Sequence, residues 1–224
     1  MKLQPVFLAI VVLLCASFSN SHADILIDSF TDGNPLTKFG VGSASGSTTA
    51  SSILGGQRDE SLTVRNLGGD EFFGAFGFGG EWSVGQGSND QMFGELVYDD
   101  FTSFDLTDGG MNSRFSIGFQ TSDTTDPIPD VLSVTAISGA TSATQFLTIP
   151  SNTAAPAELL VDFSQFGGVN FTQLDSIRLD VDFGPSQAGR DFEISRFSAV
   201  PEPATAGVVG LGGLFVLLRR RRRS

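Results

Sequence analysis

Ile177, Leu179, Val181 and Phe183 alternate with Arg178, Asp180 and Asp182. This is the period-two pattern of a strand with one face in a core and the other in water. No other feature of the chain narrows the fold as far, because the alternation recurs along the body. Ser61–Leu67 sets Leu62 and Val64 among polar neighbours and breaks at Gly68 and Gly69. Arg114–Phe119 carries Phe115, Ile117 and Phe119, and Val131–Ile137 alternates after the turn-forming stretch Asp126–Asp130. Shorter runs at Asp24–Phe30, Gln91–Phe101, Gln145–Ile149 and Leu159–Phe163 have the same character. Glu71–Trp82 is rich in Phe and Gly, and Phe192, Ile194 and Phe197 make a last run. Gly40–Ser52 reads equally as a pair of small-residue strands or as a loop. About ten short strands separated by turn signals, with no 3.6-residue periodicity, predict an all-β sandwich or barrel. No fixed repeat argues for a propeller or solenoid. The 21 phenylalanines supply filling for the space between two sheets. The closing segments look like the last strands of jelly-roll sandwiches of the carbohydrate-binding type. On that likeness, Leu174–Phe183 pairs with Phe192–Phe197, and the fold is a single jelly-roll-like β-sandwich.

Both ends of the chain differ from this body. Lys2 precedes an apolar run, Val6–Cys15, and Ser21-His22-Ala23 places small residues for cleavage between Ala23 and Asp24. This is the layout of a secretory signal peptide, residues 1–23, with signal peptidase as its processing enzyme. A lipoprotein reading at Cys15 is disfavoured by Leu14, where a small residue is required. At the other end, Pro201-Glu202-Pro203 leads into an apolar run, Ala206–Leu218, then Arg219, Arg220, Arg221, Arg222, Arg223 and Ser224. Proline interrupts regular structure. The apolar run makes about 20 Å of helix against a hydrocarbon core of about 30 Å, so it spans with snorkelling arginines and local thinning. The arginines belong on the cytoplasmic side.

The order of triplet, short span and basic cluster resembles the PEP-CTERM sorting signal of bacteria. The resemblance covers residues 200–224 and implies an exosortase substrate, in which Pro201, Glu202 and Pro203 are the recognised triplet. It further implies an exported protein, held in the inner membrane by its C-terminal helix before processing. Afterwards it would reside at the cell surface or in exopolysaccharide. An ordinary single-pass anchor behind a proline-containing linker is the plainer alternative.

Residues 24–199 then form the exported domain. The body from Asp24 to Val200 holds 24 acidic residues against seven basic ones, a net charge of −17. Such a charge disfavours nucleic acid and anionic lipid as partners of the folded domain. Cys15 and His22 are the only cysteine and histidine, and both precede the cleavage point. The mature body therefore lacks the parts of a Ser-His-Asp triad, a thiol nucleophile or a histidine zinc site. It also lacks a phosphate loop with its lysine. A glycosidase needs only two carboxylates, for which Asp99, Asp100 and Asp105 are candidates, although any acidic surface offers such pairs. Tyr98 and a few arginines are thin material for a polysaccharide lyase.

Calcium suits hard oxygen donors on loops. Its candidate ligands are Asp28 with Asp191, or the group Asp99, Asp100, Asp105 and Asp108, against a plain reading as surface charge. Sugar binding would call for exposed flat aromatics beside polar groups. Trp82 and Tyr98 are the body's only tryptophan and tyrosine, and each is set against a reading as core. The Phe-Gly stretch Phe72–Gly80 reads first as buried strand. The favoured expectation is a non-catalytic structural or adhesive sandwich on the cell surface. The alternatives are a carbohydrate-binding module contacting extracellular polysaccharide, and a carboxylate-based glycan-cleaving enzyme.

Overall fold

The computed structural model describes residues 24–33, 36–38, 40–66, 73–78, 80–86, 91–123, 131–149, 156–183 and 190–202. The expected signal peptide, Pro203, the apolar run and the five terminal arginines lie outside the described residues. Among the described residues, no helix is long and apolar enough to cross a membrane.

The chain forms two antiparallel sheets packed as a sandwich. The first runs in the order β11 (Ala157–Asp162), β8 (Asn112–Asp123), β13 (Arg190–Pro201), β6 (Glu81–Gln86), β5 (Phe73–Phe78) and β2 (Leu36–Thr37). The short β1 (Ile25–Asp28) also pairs with β13, beyond the point where β6 ends. The second sheet runs β10 (Thr141–Thr148), β9 (Val131–Ser138), β12 (Ser176–Phe183), β7 (Gln91–Tyr98), β4 (Gln57–Asn66) and β3 (Gly42–Thr49). Two 3-10 turns, Leu54–Gly56 and Phe163–Gln165, punctuate the connections.

Alternation became burial as expected. In β7 and β12 every second residue is buried, and the residues between are partly open. Leu62, Met92, Leu96, Val134, Leu179 and Val181 face Trp82, Phe115, Ile117, Ile194 and Phe197 across the core. Each such side chain removed from water contributes about 1.5–3 kcal/mol. At one end, phenylalanines interlock: Phe163 stacks on Phe171 at 4.0 Å, and Phe115 meets Phe163, Phe166 and Phe171 edge-on. The offset-stacked and T-shaped geometries suit the ring quadrupoles. Gly94 on β7 lets Val181 and Trp82 pack closely over the strand. A Cβ there would lie 3.1 Å from Val181 Cγ1 and 3.6 Å from Trp82 Cζ2.

Several expectations needed correction. The Phe-Gly run holds two strands, β5 and β6, turning near Gly80, whose φ of 97° favours glycine. Gly40–Ser52 is a single edge strand, β3, whose partner β4 begins at Gln57. The pairing expected between the last two runs is absent: β12 pairs with β7 and β9, whereas β13 lies in the other sheet between β8 and β6. Consecutive amphipathic strands bury their apolar faces equally well when they face each other across the core, and the sequence pattern is the same in both arrangements. Pro201 does not stand in a linker. It is the last residue of β13, opposite Asn112, at a register shift. A strand end or bulge is where a missing N–H is tolerated. The folded domain therefore runs two residues past the expected boundary at 199.

A buried ionic cluster ties the sheets together. Arg58 on β4 is fully buried. Its Nη1 donates to Asp28 Oδ2 at 2.5 Å, its Nε to Glu60 Oε1 at 2.7 Å and its Nη2 to the Asp32 carbonyl at 3.2 Å. Its guanidinium also lies 5.5 Å from the centre of the Phe30 ring. Tyr98 donates its hydroxyl to Asp28 at 3.0 Å, and the Phe30 amide donates to the same carboxylate at 2.7 Å. Burial raises the Asp28 pKa, with Arg58 pulling against it. Burial also raises that of Tyr98, and the charge of Asp28 adds to the effect.

Candidate functional site

The outward residues of the second sheet assemble a polar face from six strands, and strand register dictates who stands beside whom. One row reads Ser45, Ser61, Glu95, Asp180, Ser133, Phe146. The adjacent row reads Ser43, Thr63, Phe93, Asp182, Val131, Thr148. Arg178 stands between Val97 and Thr135 in the row on the other side. These positions are outward because their neighbours at i ± 1 fill the core.

Across this face runs an open groove of about 930 Å³. Two of its apolar lining residues are Phe93 and Phe146, the second of which is 73% exposed. From β7 to β10 is three strand spacings, and the rings are one row apart, so they stand roughly 16 Å from each other. Arg65 rests its guanidinium 5.3 Å from the centre of the Phe93 ring and donates from Nη1 to both oxygens of Asp182 at 2.9 and 3.0 Å. Arg178 reaches Glu95 at 3.2 Å. Both groove arginines are thus held by carboxylates.

Asp180 lies at the centre. Burial pushes its carboxyl up to about 6, the charge of Glu95 acts in the same direction, and Arg178 and the Ser133 hydroxyl act against it. The Ser133 hydroxyl donates to Asp180 Oδ2 at 3.4 Å. Asp180 Oδ1 and Arg178 Nε are closed to bulk water, yet neither has a hydrogen-bond partner among the described residues. The two residues line the groove two positions apart on the same face of β12. Buried polar atoms are costly to leave unpaired.

The sequence-expected sites lie elsewhere. Trp82 is 1% and Tyr98 0% exposed, so neither is a sugar platform. Trp82 stacks with Phe30 at 6.4 Å, and Tyr98 is spent on Asp28. Each sits at an inward position of its strand. The calcium pair is also undone: Asp28 is opposite Phe197, six positions along β13 from Asp191. That is roughly 20 Å at strand rise, and Asp28 is occupied by Arg58. Asp99 and Asp100 are exposed on the loop after β7, away from the groove. Asp105 closes a turn, accepting from the Thr107 hydroxyl and the amides of Thr107 and Gly109. Those bonds, the Thr107 hydroxyl foremost, hold its pKa below the usual value. Among the described residues no three His, Cys, Asp or Glu side chains gather as a metal site.

The groove residues were visible in the sequence only as the polar half of an alternation. Nothing in a single strand says that Glu95 will face Asp180 or that Phe93 will stand beside Asp182.

No family model and no curated protein sequence matches the chain. Solved structures do show similarity. A family 11 carbohydrate-binding module from Clostridium thermocellum, in complex with a β-1,3-1,4-mixed-linked tetrasaccharide, is 12% identical. That match covers 80% of this chain and 95% of the module, with a TM-score of 0.42. A family 30 module of a cellulosomal cellulase from the same organism is 12% identical over 81% of this chain and 99% of its own, with a TM-score of 0.39. TmCBM61 in complex with β-1,4-galactotriose is 11% identical over 63% and 82%, with a TM-score of 0.32. At these scores the likeness carries nothing about ligand or activity.

Proposed function

We propose that this chain is an exported surface protein whose β-sandwich binds glycan in the groove of its second sheet. One observation carries the reading: two outward phenylalanines flank a groove floor lined by the charged side chains Arg65, Arg178, Asp180 and Asp182. A sugar ring offers an apolar face to an aromatic ring and a rim of hydroxyls that both donate and accept, and this floor presents both counterparts. The groove carboxylates stand side by side on one sheet. Glycoside cleavage calls for a pair flanking the scissile bond, so binding without cleavage is the reading the geometry favours.

The test is binding of the exported chain to an array of neutral oligosaccharides. Retention of one or more glycans, abolished by Phe93→Ala with Phe146→Ala, is the expected result. An array that stays blank at every glycan overturns it.

The address comes from the chain ends. The layout of residues 1–23 supports export by a signal peptide. The order of Pro201-Glu202-Pro203, apolar run and arginines supports sorting by an exosortase, with transient anchoring in the inner membrane and release to the cell surface or extracellular polysaccharide. Mass spectrometry of the extracellular protein is expected to find Asp24 as its first residue and no peptide from Arg219 onward. Recovery of Arg219–Ser224 outside the cell would contradict tail removal.

A further inference from the structure

The centre of the groove places a condition on binding. Asp180 on β12 and Glu95 on β7 stand directly opposite each other. Opposed side chains on one face of an antiparallel pair lie about 4.5–5.5 Å apart at Cβ. The charged groups around Asp180 are few. Glu95 faces it from β7, and Arg178 and Asp182 flank it two residues away on β12 itself. From β9 it meets only the neutral Ser133. Arg65 of β4 is committed to Asp182, and Arg178 reaches Glu95. One guanidinium therefore serves two facing carboxylates, and Asp180 Oδ1 is closed to bulk water without a partner among the described residues.

A neutral ligand laid over this floor removes the water that remains around Asp180 and supplies no positive charge. Both changes favour the uncharged carboxyl. A protonated carboxyl also gains an O–H to donate to a sugar oxygen. We propose, on the basis of the glycan reading, that the groove takes up a proton at Asp180 when a neutral glycan binds, so that binding tightens as pH falls.

The free groove already holds that proton with a pKa of about 6, and the complex holds it more firmly. Binding is then strongest below the free value, where both states are protonated. It weakens as pH rises from the free value to the higher bound value, and levels off beyond it. Each unit by which the glycan raises the pKa makes the high-pH affinity about tenfold weaker than the low-pH affinity.

The neutral-oligosaccharide array is run with the exported chain at about pH 5 and about pH 8, which bracket the titration. The expected result is glycan binding about tenfold stronger at the lower pH. Asp180→Asn is expected to lose the pH dependence, the ratio of binding at the two pH values falling to about one. Glu95→Gln removes the facing charge and is expected to move the midpoint of the pH profile downward. Binding that is pH-independent in the unmodified chain overturns the inference while leaving the glycan reading intact. So does a pH dependence that survives Asp180→Asn. A blank array at both pH values overturns the glycan reading itself.

Discussion

Replacing Arg58 with methionine keeps most of the side chain's apolar length and withdraws the cation from the carboxylates of Asp28 and Glu60. The wild-type cluster supplies hydrogen bonds at 2.5, 2.7 and 3.2 Å from one fully buried guanidinium. In the variant, Asp28 keeps only the Tyr98 hydroxyl and the Phe30 amide. Breaking a buried pair from one side leaves an uncompensated charge and costs about 3–5 kcal/mol. For a domain of this size that corresponds to a melting temperature lower by roughly 6–20 °C. Burial already raises the Asp28 pKa, and losing Arg58 raises it further, so this carboxyl escapes part of the cost by taking up a proton. The penalty should therefore be largest at neutral pH and shrink as pH falls toward about 4. Urea unfolding followed by fluorescence reads this cleanly, because Trp82 is the only tryptophan and stacks with Phe30 beside the cluster. A loss below about 1 kcal/mol at neutral pH, or a loss that does not change with pH, would refute the view that Arg58 neutralises the core carboxylates. Adding Asp28→Asn to Arg58→Met should recover part of the loss, since an amide carries no charge to strand.

Three further outcomes follow from the packing. Gly94→Ala drives a methyl to 3.1 Å from Val181 Cγ1 and should lower stability by about 1–3 kcal/mol in the same urea titration. Tyr98→Phe removes one donor from Asp28 at a cost of about 1–3 kcal/mol, and glycan binding by the folded fraction should be unchanged. Phe146→Ala, on a ring 73% exposed, should leave the urea midpoint within experimental error and weaken glycan retention on the array. A large stability loss there would place Phe146 in the core instead of the groove.

The period-two alternation of Ile177–Phe183 and its counterparts determined that the chain is all-β, a sandwich or a barrel, because a strand with one apolar face needs a further layer of sheet to cover it. The polar identity of the outward positions Arg178, Asp180 and Asp182 was equally legible, as was the absence of histidine and cysteine from the body. Tertiary structure alone decided which strands meet. Alternation states which side of a strand is buried and is silent on its neighbours. That is why β12 and β13 were expected as partners and are found in opposite sheets. It is also why Trp82 and Tyr98, chosen for their chemistry, proved to be core. The groove depends on register between segments more than eighty residues apart in sequence, such as Glu95 with Asp180 and Phe93 with Asp182. Only folding buries Asp180 and sets Glu95 opposite it, and that burial first, with the facing charge adding to it, gives Asp180 its raised affinity for a proton.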